Sequence, residues 1–197
     1  MKGNCIMKQN NTKHKKRFLY ILASQTGTVV SRIIRLVTKD NYNHVSISLD
    51  SDLEKMYSFG RIFPNNPILA GFVREDPKEG IYKKFFDTKV RLIKIEVTEE
   101  EYNEVQKILE EMYSNRRKYH YNYIGLITAY WDKAFSRKNT FYCSEFVRDL
   151  LVRTKILDAN VFNEVAKPSD FVEIYENESI YEGYLRDYIK QKELILS

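Results

Sequence analysis

The stretch HVSISL, residues 44–49, alternates polar and apolar side chains without a break. Val45, Ile47 and Leu49 fall on one face and His44, Ser46 and Ser48 on the other, the two-residue period of a strand with one buried side. DSDLE then reads as a turn and KMYSF (55–59) as a returning strand. Matching Tyr57 and Phe59 to the apolar face of the first strand sets the register parity, because a one-residue slip would turn every side chain over. That parity puts Ser58 on the face that carries His44. A chain with such a strand pair must cover one face of a sheet with apolar elements.

The covering elements are legible. TEEEYNEVQKILEEMYSN opens with Thr98 and Glu101 at capping-box spacing, and Tyr102, Val105, Leu109 and Met112 form the stripe of an amphipathic helix. Phe146, Val147, Leu150 and Leu151 make a second stripe behind Cys143. Residues 18–23 and RLIKIEV (91–97) read as buried strands. Gln25–Thr28 reads as a turn into a helix carrying Val29, Val30, Ile33, Ile34 and Val37. Residues 60–90 hold three of the four prolines and read as a long loop with room for one short strand, of the kind that borders binding sites. YHYNYIGLITAYW (119–131) reads as a short helix lying against the body, KPSD (167–170) as a helix start, and SIYEGYLRDY (179–188) as a last strand. Strands and helices do not strictly alternate, so the expected class is α+β. With 197 residues and no linker, the expectation is one domain over 18–197 behind a basic, solvated tail, 1–17.

Charge narrows the partners. The net charge is +5, but residues 1–17 contain six basic residues and no acid; the rest has 26 basic against 27 acidic. The basicity belongs to the tail, which argues against a nucleic-acid-binding fold. No run approaches the ~18 apolar residues of an integral membrane segment. KHKKRFLYILAS resembles a short export signal, but its apolar run of six residues is below the ~7–15 of such a region, and a first strand in a cytoplasmic, reduced protein is the preferred reading. Cys5 and Cys143 make neither a disulfide framework nor a zinc spacing, so no metal and no cofactor is expected.

Cys143 has two readings. On the inner face of its helix it is a small hydrophobe, as buried free cysteines commonly are. In the first helical turn it is also where unpaired N–H groups and the helix dipole favour a thiolate. Cysteine catalysis further requires an imidazole within hydrogen-bond reach. Of three histidines, His14 lies in the tail, His120 in a tyrosine-rich turn, and His44 on the polar face of its strand. Spacing alone does not pair His44 with Cys143, which is 99 residues away.

The order HVSISL, MYSFGR, YHYNYIGL, YCSEFV, KPSDF over about residues 18–188 resembles the circularly permuted papain-like amidases of the NlpC superfamily, most closely the YiiX-like group. The resemblance implies a mostly antiparallel sheet packed against the nucleophile-bearing helix. It implies Cys143 as nucleophile and His44 as base, the histidine strand coming first in the permuted order. The family's orienting residue is commonly Glu on the strand after the histidine. Ser58 is the nearest match here, with a carboxylate from residues 60–90 as the alternative. Tyr142 and Tyr123 are candidate pocket-lining residues, with core packing as the other reading. The implied activity is hydrolysis of small peptide, cell-wall-type or related amides. The alternatives are acyl-lipid chemistry of the lecithin–retinol acyltransferase type and a non-catalytic binding module.

Overall fold

The structure, a computed structural model, describes residues 16–26, 41–129, 133, 135–162 and 165–196. The helix expected over 29–37, most of the basic tail, Cys5 and His14 lie outside these residues. The described chain is α+β, with eight strands in one mostly antiparallel sheet and six helices.

The strands are β1 (Arg17–Gln25), β2 (His44–Ser48), β3 (Met56–Phe63), β4 (Asn66–Glu75), β5 (Lys89–Val97), β6 (His120–Tyr121), β7 (Thr140–Phe141) and β8 (Ser179–Tyr184). Their order across the sheet is β7-β6-β4-β3-β2-β1-β5-β8, antiparallel throughout except for the β6–β7 pair. The helices are α1 (Gly80–Lys84), α2 (Glu99–Ser114), α3 (Tyr123–Ala129), α4 (Cys143–Arg153), α5 (Pro168–Ile174) and α6 (Leu185–Leu196).

The strand pair anticipated at 44–59 forms with Ile47 opposite Tyr57, so Ser58 shares the parity of Ser46 and His44. The apolar side of that alternation faces one core. Leu19, Ile21, Val45, Ile47, Tyr57, Phe59 and Ile93 pack there against Leu109 of α2, Phe146 and Leu150 of α4 and Phe171 of α5. The reverse side has a second, smaller core. Tyr20, Leu22, Met56 and Leu92 pack there against Tyr82 of α1 and Leu185, Tyr188 and Ile189 of α6. Burying each large aliphatic side chain stabilises by about 1.5–3 kcal/mol, so both helical layers hold the sheet.

The capping box starts α2 as expected. Thr98 Oγ1 accepts from the Glu101 amide at 3.1 Å, while Glu101 Oε2 takes the Thr98 amide at 2.8 Å. Tyr102, Val105, Leu109 and Met112 are its buried residues.

Three expectations need correction. Residues 60–90 are not mainly loop: β3 runs on to Phe63, turns at Pro64–Asn65, and returns as the ten-residue β4, followed by α1. The two prolines and Gly71 hid the alternation, because they are poor strand formers that a hairpin tip and an open backbone tolerate. The last strand stops at Tyr184 and the chain continues as α6, whose first residue, Leu185, sits 3% exposed in the second core. The segment 119–131 contributes β6 before its helix, and α3 buries only Gly125 and Ala129. At the tail boundary, Arg17 opens β1 with its guanidinium 4.0 Å from the Tyr102 ring centroid, and Lys16 pairs with Glu96.

Candidate active site

Cys143 is the first residue of α4 and is 3% exposed. Two buried polar contacts set where that helix begins. Ser144 Oγ donates to the Ala166 carbonyl at 2.7 Å. Glu145 Oε2 accepts from the Tyr142 amide at 3.3 Å and from Asn122 Nδ2 at 3.2 Å. Asn122 in turn receives the Gly125 amide on its oxygen and donates to the Phe135 carbonyl. This network ties the approach to α3, the following loop and the start of α4 into one unit. Its apolar partner is the packing of Phe146 on Phe59 and Phe72, with ring centroids 5.4 and 5.3 Å apart.

The first bond closing α4 is donated by the Phe146 amide to the Tyr142 carbonyl. The amides of Cys143, Ser144 and Glu145 precede it, so the thiol stands among N–H groups of a helix's first turn. Glu145 carries its carboxyl above the usual range, because burial outweighs the hydrogen bonds from Asn122 and Tyr142.

His44 opens β2, at the strand end nearest that helix start. The Cys143 side chain is close enough to the imidazole to raise its pKa, through hydrogen bonding and through charge. Nε2 lies 2.8 Å from Glu75 Oε1. Glu75 is the last residue of β4, and both side chains are largely shielded, at 15% exposed for His44 and 9% for Glu75. The carboxylate has three more partners: Ser58 Oγ donates to Oε1 at 2.8 Å, Ser46 Oγ donates to Oε2, and Tyr82 Oη donates to Oε2 at 3.3 Å. Ser46 Oγ is also 3.3 Å from His44 Nε2.

This arrangement fixes the protonation states. Burial by itself pushes the His44 imidazole down. The Glu75 charge, the hydrogen bonds to Cys143 and Glu75 and the Cys143 charge together outweigh it, and raise the imidazole to about 10. Glu75 moves the other way: burial opposes ionisation, but the His44 charge and the donors His44, Ser46 and Ser58 hold it below its ordinary value. The resting pair is imidazolium and carboxylate.

Each expected site residue can now be located. Cys143 and His44 are brought close enough to interact. Ser58 is buried on the His44 side of the sheet, but it is bonded to Glu75, which occupies the orienting position beside His44. Tyr142 precedes Cys143 and packs with Ala129 and Val165 at 6% exposed; burial followed by the Glu145 charge pushes its phenol up. Its surroundings are those of a packed residue. Tyr123, the first residue of α3, is 40% exposed, with its ring 4.7 Å from that of Tyr121 and its phenol in the field of Arg61.

Glu75 lies in the 60–90 stretch from which a carboxylate is the alternative to Ser58, although the sequence does not single it out; Ser46 and Tyr82 are not expected at the site from sequence. Among the described residues no cluster of His, Cys, Asp and Glu forms a metal site, and no helix is long and apolar enough to cross a membrane. Comparison with family models, curated proteins and solved structures returned no match.

Proposed function

We propose that the protein is a cysteine hydrolase of amide bonds that works through an acyl-enzyme on Cys143. One observation carries the reading: a single imidazole is hydrogen-bonded through Nε2 to a buried carboxylate and stands close enough to a first-turn cysteine for the two to interact. Those are the parts that nucleophilic catalysis by cysteine requires, a thiolate, a proton carrier and a group fixing the carrier's orientation. The resemblance of HVSISL, YCSEFV and KPSDF to permuted papain-like amidases agrees with it, and Glu75 supplies the carboxylate that Ser58 lacks.

The steps follow from the charges. His44 holds the proton and the Cys143 sulfur attacks the amide carbonyl, forming a C–S bond while the carbonyl π electrons move onto oxygen. First-turn amides of α4 stabilise that oxyanion. Collapse breaks the C–N bond, and imidazolium protonates the departing amine. Neutral His44 then takes a proton from water, which attacks the thioester; the C–S bond breaks and the acid leaves. Glu75 remains ionised throughout and keeps Nε2 turned toward itself.

Alkylation with iodoacetamide, followed by mass spectrometry of the Cys143 peptide, tests the pairing. Wild-type Cys143 should alkylate faster than Cys5 well below the ~8.5 of an ordinary thiol, and His44→Ala should abolish that advantage. Equal rates for the two cysteines, or no change in His44→Ala, would remove the basis of the mechanism.

A further inference from the structure

Glu75 is held at both oxygens, and the second oxygen is served by a residue that the reaction does not use. Oε1 takes His44 and Ser58, both at 2.8 Å. Oε2 takes Ser46 and the phenol of Tyr82. Ser46 and Ser58 come from the two strands beneath the carboxylate. Tyr82 comes from outside the sheet, on the short helix α1, seven residues after Glu75 itself. The chain therefore leaves the sheet at Glu75, turns, and folds a tyrosine back over the carboxylate it has just placed.

Tyr82 is 3% exposed, and its ring belongs to the second core with Leu22, Met56, Val90 and Leu185. A buried phenol needs a hydrogen-bond partner, and here the partner is an ionised carboxylate. A carboxylate anchored at one oxygen can still rotate about its terminal bond; one anchored at both cannot do so without breaking a bond. We infer that Tyr82 is a positioning residue, which together with Ser46 fixes the rotation of Glu75 and helps keep it ionised, so that Oε1 stays aimed at His44.

The proposal rests on the Cys143–His44–Glu75 reading for its catalytic meaning, but the geometry around Glu75 stands without it. Among the described residues, the groups that hydrogen-bond the carboxylate are His44 and Ser46 from β2, Ser58 from β3 and Tyr82 from α1. The phenol of Tyr82 is itself pushed well above its ordinary value, by burial first and by the Glu75 charge second. It therefore remains a donor wherever the protein is folded. A donor that bonds the ionised form of an acid lowers that acid's midpoint, and its removal raises it.

The test uses the full chain with ¹³C-labelled glutamate, and follows side-chain carboxyl shifts against pH; Glu75→Gln identifies the Glu75 signal. In Tyr82→Phe the Glu75 midpoint should rise by roughly half to one pH unit, the effect of one long hydrogen bond to a charge. Iodoacetamide alkylation of Cys143 should slow several-fold, with Ser46→Ala as a second variant acting on the same oxygen. An unmoved Glu75 midpoint in folded Tyr82→Phe would overturn the inference, whatever happens to alkylation. If the midpoint rises but His44→Ala leaves wild-type alkylation unchanged, the cysteine–histidine reading fails and the role of Tyr82 in holding Glu75 remains. If Tyr82→Phe does not fold, the Ser46→Ala midpoint decides: no rise there removes the argument from the second oxygen.

Discussion

Ser58 Oγ and His44 Nε2 meet on one atom, each 2.8 Å from Glu75 Oε1. The serine does not touch the imidazole's proton; it competes with the imidazole for the same lone-pair region of a carboxylate. Its effect on the base is therefore indirect. Removing Ser58 leaves the ion pair in place, whereas removing the charge of Glu75 dissolves it.

The two substitutions should accordingly differ in scale. Ser58→Ala removes one hydrogen bond to the carboxylate and should slow Cys143 alkylation about three- to tenfold, the equivalent of about 1 kcal/mol. Glu75→Gln removes the counter-charge and should slow it by about 10² or more, within the range of losses seen when acid–base machinery is disabled. Rates measured on both variants at one pH check the order; a Ser58→Ala loss equal to that of Glu75→Gln would contradict the geometry.

Stability should depend on pH through the same pair. The folded value of His44 lies at about 10, above its ordinary 6.5, so protonated His44 contributes stability that is complete below about 6.5 and disappears as pH rises through about 10. Glu75 is held below its ordinary 4.5, so its contribution is present above that value and is lost as pH falls through its folded one. The difference in melting temperature between wild type and Glu75→Gln should thus be widest from about pH 5 to 6.5 and shrink toward pH 10. Thermal melts across that range measure it, and a constant difference would mean that the pair is not linked to folding.

Gly60 offers a test of crowding rather than chemistry. A Cβ at this position would sit 3.2 Å from Glu75 Oε1, 3.3 Å from Ser58 Oγ and 3.6 Å from His44 Cε1. Gly60→Ala must push one of the polar groups aside by a few tenths of an ångström. We expect slower Cys143 alkylation with the melting temperature little changed, since a methyl group here meets side-chain ends and not the backbone. Unaltered alkylation would show that the relay has slack.

Much of this arrangement is written in local periodicity. The alternation of HVSISL and KMYSF fixes the face of His44 and Ser58, and the stripes of α2 and α4 fix which side of each helix is buried. Cys143 is legible as a first-turn residue for the same reason. Glu75 is not, because NPILAGFVRE breaks its two-residue pattern with Pro67 and Gly71. The available signal was the length of its partner: β3 reaches Phe63, and so long a strand inside a sheet needs a second neighbour. Tyr82 had no signal, since a five-residue helix has too few turns to show a stripe. The contact between His44 and Cys143 joins two distant segments through packing, which local pattern cannot express.

That packing can be probed at Phe146, which is 1% exposed and touches both Phe59 and Phe72. Phe146→Ala should cost roughly 3–5 kcal/mol. In the fraction that stays folded, Cys143 alkylation should fall as well, because the same ring sets how α4 lies on β2 and β3. Denaturant melts and alkylation at fixed folded fraction separate the two effects; intact reactivity in the folded fraction would show that the sulfur's place does not depend on this ring.

The thiol belongs to the core on one side of the sheet, while the carboxylate is closed over by a tyrosine from the core on the other. The candidate site is consequently a conjunction: neither layer alone assembles it, and loosening either takes it apart. On the proposed reading, thiol, imidazole and carboxylate come together only when both halves of the fold have closed.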